Sequence, residues 1–160
     1  MIKPLLPVHK SSLVPLTDRT GVFKPNEIET LDSLLDGYFE AYHKDDAHRA
    51  FVLEEDGHVR GFVYFAPEDP TMTDRTWTLY WIAVDVAVQR GGYGRRLMAF
   101  VEEYIRAENG RILLIETSST SKYEPTRQFY LKHGYAQVAT VPDFYADGDG
   151  KVIFAKRLAV

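Results

Sequence analysis

Between Gln89 and Gly94 the chain reads Gln-Arg-Gly-Gly-Tyr-Gly, and Arg95 and Arg96 follow. Three glycines in four positions let a backbone come close to a ligand, because no Cβ stands in the way. An apolar run, Ile82-Ala83-Val84-Asp85-Val86-Ala87-Val88, leads into this turn, and an amphipathic stretch leaves it. A helix starting there offers unpaired N–H groups and the positive end of its dipole, which together hold an anion. The chemistry predicted is the cradling of a pyrophosphate, with Arg90, Arg95 and Arg96 adding positive charge.

Three nucleotide-binding patterns compete for such a turn. A P-loop needs Gly-x4-Gly-Lys-Ser/Thr, which no part of the chain has. The dinucleotide fingerprint Gly-x-Gly-x-x-Gly follows the first strand of a βαβ unit, whereas here at least two predicted strands come first and the spacing differs. The third pattern, Gln/Arg-x-x-Gly-x-Gly/Ala, is filled by Gln89, Gly92 and Gly94.

The elements that must position the turn are readable around it. Ser11–Arg19 predicts a short helix capped by Ser11 or Ser12. Pro25 opens a stronger one, with Ile28, Leu31, Leu34, Leu35, Tyr38, Phe39 and Tyr42 at helical spacing to about His43. Arg49–Glu54 and Val59–Ala66 read as strands around the Asp56-Gly57 turn. Thr76–Val84, rich in β-formers, is a third strand, predicted to complete an antiparallel meander and deliver the glycine turn. After it, Leu97, Met98, Val101, Tyr104 and Ile105 fall on one helical face, Glu102 and Arg106 pair on the other, and Asn109-Gly110 is a stop. Ile112–Glu116 is an apolar run ending in a carboxylate, so strand, helix and strand form a parallel βαβ unit. Pro125 opens a helix through Phe129, Tyr130 and Leu131 that closes at Gly134. Tyr135–Val141 and Lys151–Leu158 are final strands joined at Asp147–Gly150.

Composition narrows the class. A length of 160 residues predicts a single domain over 1–160, and 45% hydrophobic residues suffice for a core. The chain has no cysteine, so a Cys nucleophile and thiolate metal sites are excluded, and a cytoplasmic location is the expectation. The five histidines lack ligand spacing, and no metal is predicted. No apolar run approaches the roughly 20 residues of a membrane span. A net charge of −4 argues against nucleic-acid binding. Ten Asp/Glu against three Lys/Arg in residues 21–56 leave that stretch at −7. It reads as a solvated acidic face or as an acidic mouth for a cationic amine.

The loop pattern, the meander before it, and Phe129-Tyr130-Leu131-Lys132-His133-Gly134-Tyr135 downstream together resemble the Gcn5-related N-acetyltransferases (GNAT), over about residues 50–158. The resemblance implies an α/β GNAT fold, with a mixed central sheet flanked by helices and splayed at the acetyl-CoA site. It implies acetyl-CoA as co-substrate. The backbone of Ile82, Ala83 and Val84 would line the pantetheine arm, and Gln89, Arg90, Gly91, Gly92, Tyr93, Gly94 and Arg95 the pyrophosphate. Many members carry an Asn seven residues before the tyrosine of Tyr130; here that residue is Tyr123. Ser118, Ser119 and Lys122 are the alternatives for contacts from that loop.

The implied reaction is direct acetyl transfer in a ternary complex to a primary amine, on a small molecule or a peptide N-terminus. Tyr130 matches the family's proton donor to the leaving thiolate. Val84 N–H would stabilise the developing oxyanion. Glu116 matches a glutamate of the ribosomal-protein N-terminal acetyltransferases, and a Glu at an apolar strand end can have a raised pKa, as a base requires. The base is either Glu116 itself or a water relayed from Glu116 or Tyr80. Tyr80 and Tyr145 are expected at the acceptor. The competing reading is a non-catalytic acyl-CoA-binding or sensor domain. The acceptor's identity, and whether the protein is a monomer or a homodimer, stay open.

Overall fold

Asp56 and Gly57 both take positive φ, 53° and 75°. They turn strand β2 (Arg49–Glu55) back into β3 (His58–Pro67), the tight hairpin that an Asp-Gly pair favours. The computed structural model describes residues 1–40 and 47–158. Their contacts divide them into two units, Met1–Ala66 with Trp81–Val101, and Pro67–Tyr80 with Glu102–Val160. The strand order is β1-β2-β3-β4-β5-β7-β6, a mixed seven-stranded sheet in an α/β chain.

The first unit holds β1 (Ile2–Pro4), α1 (Lys10–Arg19), α2 (Pro25–Phe39), the β2–β3 hairpin, the end of β4 (Thr76–Val84) and the start of α3 (Tyr93–Ala107). Leu13 and Leu16 of α1 and Leu31, Leu35 and Tyr38 of α2 pack against Val52, Phe62 and Tyr64. Spacings of three and four put each helical set on one stripe. On the other face of the hairpin, the Phe100 ring of α3 lies 4.7 Å from that of Phe51.

Two expectations change in this unit. β1 was not foreseen: three residues ending in proline carry too little pattern. The strand exists because Ile2–Pro4 pairs with Phe51–Leu53. The cap of α1 is His9 rather than Ser11 or Ser12, because a 3-10 turn over Pro7–His9 runs straight into the helix. The predicted end of α2 near His43 lies outside the described residues.

In the second unit β4 pairs parallel with β5 (Ile112–Ser118), from Thr76↔Ile112 to Leu79↔Ile115. β5 pairs antiparallel with β7 (Asp149–Arg157), and β7 with the edge strand β6 (Ala136–Ala146). Helix α4 (Glu124–Lys132) carries Tyr130. Ile105, Leu113, Ile115, Tyr130, Tyr135 and Phe154 form the buried interior.

Strand β6 runs five residues past the predicted Val141, with an irregularity between Val141 and Ala146. The hairpin tip is therefore tighter than Asp147–Gly150. Gly148 takes φ 78°, and its N–H donates to Asp143 Oδ1 at 2.7 Å. Glu102 is a second correction. Its pair with Arg106 is present at 3.4 Å, but the side chain is buried rather than on a solvated face. Tyr135 Oη donates to Glu102 Oε1 at 2.8 Å, and Lys156 Nζ at 2.9 Å. Among the described residues no helix is long and apolar enough to cross a membrane.

Candidate active site

The glycine turn lies wholly within the first unit. Asp85 caps a 3-10 turn over Val86–Gly91, its carboxylate accepting from Ala87 N at 3.1 Å. Gly92 then takes φ 77°, the left-handed conformation that L residues avoid, and α3 begins at Tyr93. A Cβ on Gly91 would lie 2.5 Å from the Tyr93 ring, whereas one on Gly92 would meet nothing within 4 Å. Thus Gly91 is glycine for packing and Gly92 for backbone conformation and open space. Arg96 N bonds back to Gly92 O at 3.1 Å. The preceding first-turn N–H groups, those of Tyr93, Gly94 and Arg95, have no intrahelical acceptor. Val86–Gly91 and Tyr93 line a cleft of about 460 Å³. Of the expected glycines and arginines, Gly91 and Arg90 line this cleft, and with the helix start at Tyr93 they could hold a pyrophosphate, whereas Arg96 is turned to Glu55.

Side chains brace this loop from behind. Gln89 Nε2 donates to Val84 O at 3.3 Å, closing the turn onto the end of β4. Tyr93 Oη donates to Glu55 at the hairpin, and Arg96 Nη1 lies 3.5 Å from the same carboxylate. The Tyr93 bond, and then Arg96, hold Glu55 below its ordinary carboxylate range, and Glu55 in turn pushes the Tyr93 phenol up. Gly61 lets strand and helix close in: a Cβ there would sit 2.7 Å from Ala83 O and 3.0 Å from Leu97 Cδ1.

The second unit holds the tyrosines and carboxylates. Pairing of β4 and β5 ends at Leu79↔Ile115. Thr78 and Leu114 are partners, so Tyr80 and Glu116, two residues further on, project from the same face. Lys151, opposite Ser118 on β7, shares that face. Its Nζ lies 3.2 Å from Glu116 Oε2 and 3.7 Å from the Phe144 ring centre. Thr78 Oγ1 donates to Glu68, just past the end of β3. Burial, then Glu68, then Glu116 push the Tyr80 hydroxyl above its ordinary range. Glu116 does not have the apolar enclosure expected of it: its side chain is 42% exposed and ion-paired.

Tyr130 belongs to the opposite face. Its ring lies 5.5 Å from that of Phe154, whose strand partner is Ile115, the neighbour of Glu116. The Tyr135 ring sits 6.0 Å away on another side. Burial, with a smaller contribution from Tyr123, pushes the Tyr130 phenol well above its ordinary range, so it stays protonated at neutral pH. The end of its helix is held by charge: Lys156 Nζ donates both to Glu102 and to His133 O.

The remaining expected residues divide. Tyr145 is 44% exposed on β6, beside Phe144. Ser118 is buried and donates to Asp149 at 2.5 Å, and Ser119 Oγ accepts from Gly150 N at 2.8 Å. Both hydroxyls stitch β5 to β7. Lys122 is exposed in a 3-10 turn. Sequence reading missed Glu68 and Lys151, which lie far from Glu116 along the chain. Glu68 falls between the strands predicted at Val59–Ala66 and Thr76–Val84, where no periodicity places it.

The sequence profile of the Acetyltransferase (GNAT) family matches residues 17–135. No curated protein matches the chain. A structure from Desulfovibrio desulfuricans, assigned to the GNAT acetyltransferases, is 32% identical over 99% of each chain, with a TM-score of 0.92. The ribosomal-protein-S18-alanine N-acetyltransferase of Escherichia coli is 18% identical over 100% of this chain and 94% of its own, at 0.78. An aminoglycoside 6'-N-acetyltransferase complexed with coenzyme A is 19% identical over 100% and 98%, at 0.75. At those identities the last two speak to the fold alone.

Proposed function

Since the chain belongs to the GNAT acetyltransferase family, we propose that it transfers the acetyl group of acetyl-CoA directly to a primary amine, on a small molecule or a peptide N-terminus. The observation that carries this reading is the glycine turn itself, with Gly92 at φ 77° ahead of the start of α3. The family profile spans parts of both units, which supports their working as one catalytic domain.

Acetyl-CoA would supply an acyl group already activated as a thioester. The N–H groups of the Gln89–Arg95 segment would hold its pyrophosphate, and the backbone of Ile82, Ala83 and Val84 its pantetheine arm. Val84 N–H is the donor for charge on the carbonyl oxygen. Tyr130, buried and protonated, is the acid for the departing sulfur. Glu116, or a water held by Glu116 or Tyr80, takes the proton from the acceptor. Tyr80 and Tyr145 flank that acceptor. With no cysteine in the chain, no thiol carries the acetyl group between donor and acceptor.

An aminoglycoside and an alanine of ribosomal protein S18 are the acceptors named for two proteins of the same fold. The test is thiol release from acetyl-CoA with a panel of peptide N-termini, polyamines and aminoglycosides. Release that depends on one amine class supports the reading and names the acceptor. Tight acetyl-CoA binding without release for any amine would make the protein an acyl-CoA-binding or sensor domain instead.

A further inference from the structure

Two carboxylates act on the Tyr80 hydroxyl, and they differ in what neutralises them. Glu116 is paired with Lys151 at 3.2 Å, and the Phe144 ring holds that lysine from another side. Glu68 accepts from Thr78 through Oε1 and, among the described residues, pairs with no cation. Its second oxygen remains an acceptor for another donor. Glu68 is also fixed in place: its main-chain N–H donates to Thr76 O at 2.8 Å, so both backbone and carboxylate are tied to β4. The side chain is half-buried, which weakens screening of its charge.

Glu68 and Glu116 both act on the Tyr80 hydroxyl, and with Lys151, the partner of Glu116, the three groups carry a net charge of −1. One ammonium group restores balance. It gains most at the carboxylate that no lysine among the described residues already occupies. We propose that Glu68 is a specificity-determining residue that receives the protonated amine of the acceptor, beside Tyr80. The inference rests on the acyl-transfer reading and concerns the binding step, in which no covalent bond changes. It separates two tasks that a single glutamate would otherwise share: Glu68 recognises the cation, while Glu116 is held in its pair with Lys151.

The experiment compares Glu68→Gln and Glu116→Gln with the wild-type full chain, following thiol release from acetyl-CoA at pH 7. Spermidine, tobramycin and an alanine-initiated peptide serve as cationic acceptors. Methoxyamine serves as an amine that is neutral at that pH. Glutamine is isosteric and can still accept from Thr78, so melting temperature and acetyl-CoA affinity stay at wild-type values in Glu68→Gln. The expected result is a rise of about tenfold or more in KM for the cationic acceptor that the wild type uses. Methoxyamine turnover should stay within about twofold. Equal losses on methoxyamine, or a cation-specific loss in Glu116→Gln rather than Glu68→Gln, would overturn the inference. Failure of the wild type to release thiol with every amine, despite binding acetyl-CoA, would overturn the acyl-transfer reading and this inference together.

Discussion

Tyr80 and Glu116 stand on one face, each a single residue beyond Leu79↔Ile115, the last pair joining β4 to β5, and the charge of Glu116 still reaches the Tyr80 hydroxyl. Two parallel strands that cease to pair leave main-chain groups open, and polar side chains gather there. Tyr130 lies across β5 and β7 from them, against Phe154. The proposed proton donor and the carboxylates proposed for the acceptor side thus lie on different faces of the same strands.

Removing the Tyr130 hydroxyl tests the donor role. The ring is packed by Tyr135 and Phe154, so Tyr130→Phe keeps its contacts. Turnover should fall about a hundredfold, with acetyl-CoA affinity and melting temperature unchanged. Full activity in this variant removes Tyr130 from the mechanism.

Gly92→Glu tests the phosphate loop. It forces a side chain into a left-handed backbone and sets a negative charge in the anion cradle. Calorimetry should detect no CoA binding; unchanged affinity would sink the assignment of this loop.

Glu102 is the test of the support behind Tyr130. Glu102→Ala leaves the Tyr135 hydroxyl without its acceptor and the Lys156 ammonium with His133 O but no counter-charge. Lys156 is one-quarter exposed, which keeps the cost below that of a fully buried charge. A loss of about 2–3 kcal/mol is expected in urea denaturation.

Glu55 sets a pH dependence. The Tyr93 bond, then Arg96, depress its folded-state pKa below the ordinary 4.5. A depressed carboxylate adds stability above its unfolded pKa and loses that contribution as pH falls through the folded value. The melting temperatures of wild type and Glu55→Gln should therefore differ near pH 7, and the gap should close progressively as pH falls below the ordinary 4.5. A gap that stays constant down to pH 3 would show that Glu55 acts without its charge.

Much of the architecture was legible from local pattern. Asp56-Gly57 specified a hairpin because its left-handed backbone suits that pair. The Leu97, Met98, Val101 and Ile105 stripe specified a helix face, and all four are buried. Gln89, Gly92 and Gly94 marked the turn through glycine's freedom at φ 77°. These are signals a short window contains. Strand β1 was not legible, because Ile2–Pro4 becomes a strand only by pairing with β2. Nor was the burial of Glu102, whose partners Tyr135 and Lys156 come from 33 and 54 residues away.

By itself, the sequence determined the α/β class, the glycine turn, the helix that follows it and the membership of Tyr130 in an amphipathic segment. Each depends on neighbours within a few turns or one strand. Tertiary structure decided the charge around Tyr80. The pairing of β5 with β7 brings Lys151 to Glu116 and leaves Glu68, held by Thr78, as the carboxylate without a cation among the described residues. Ion pairing acts over a few ångströms of space, and no spacing along the chain records which residues the folded strands bring within that range.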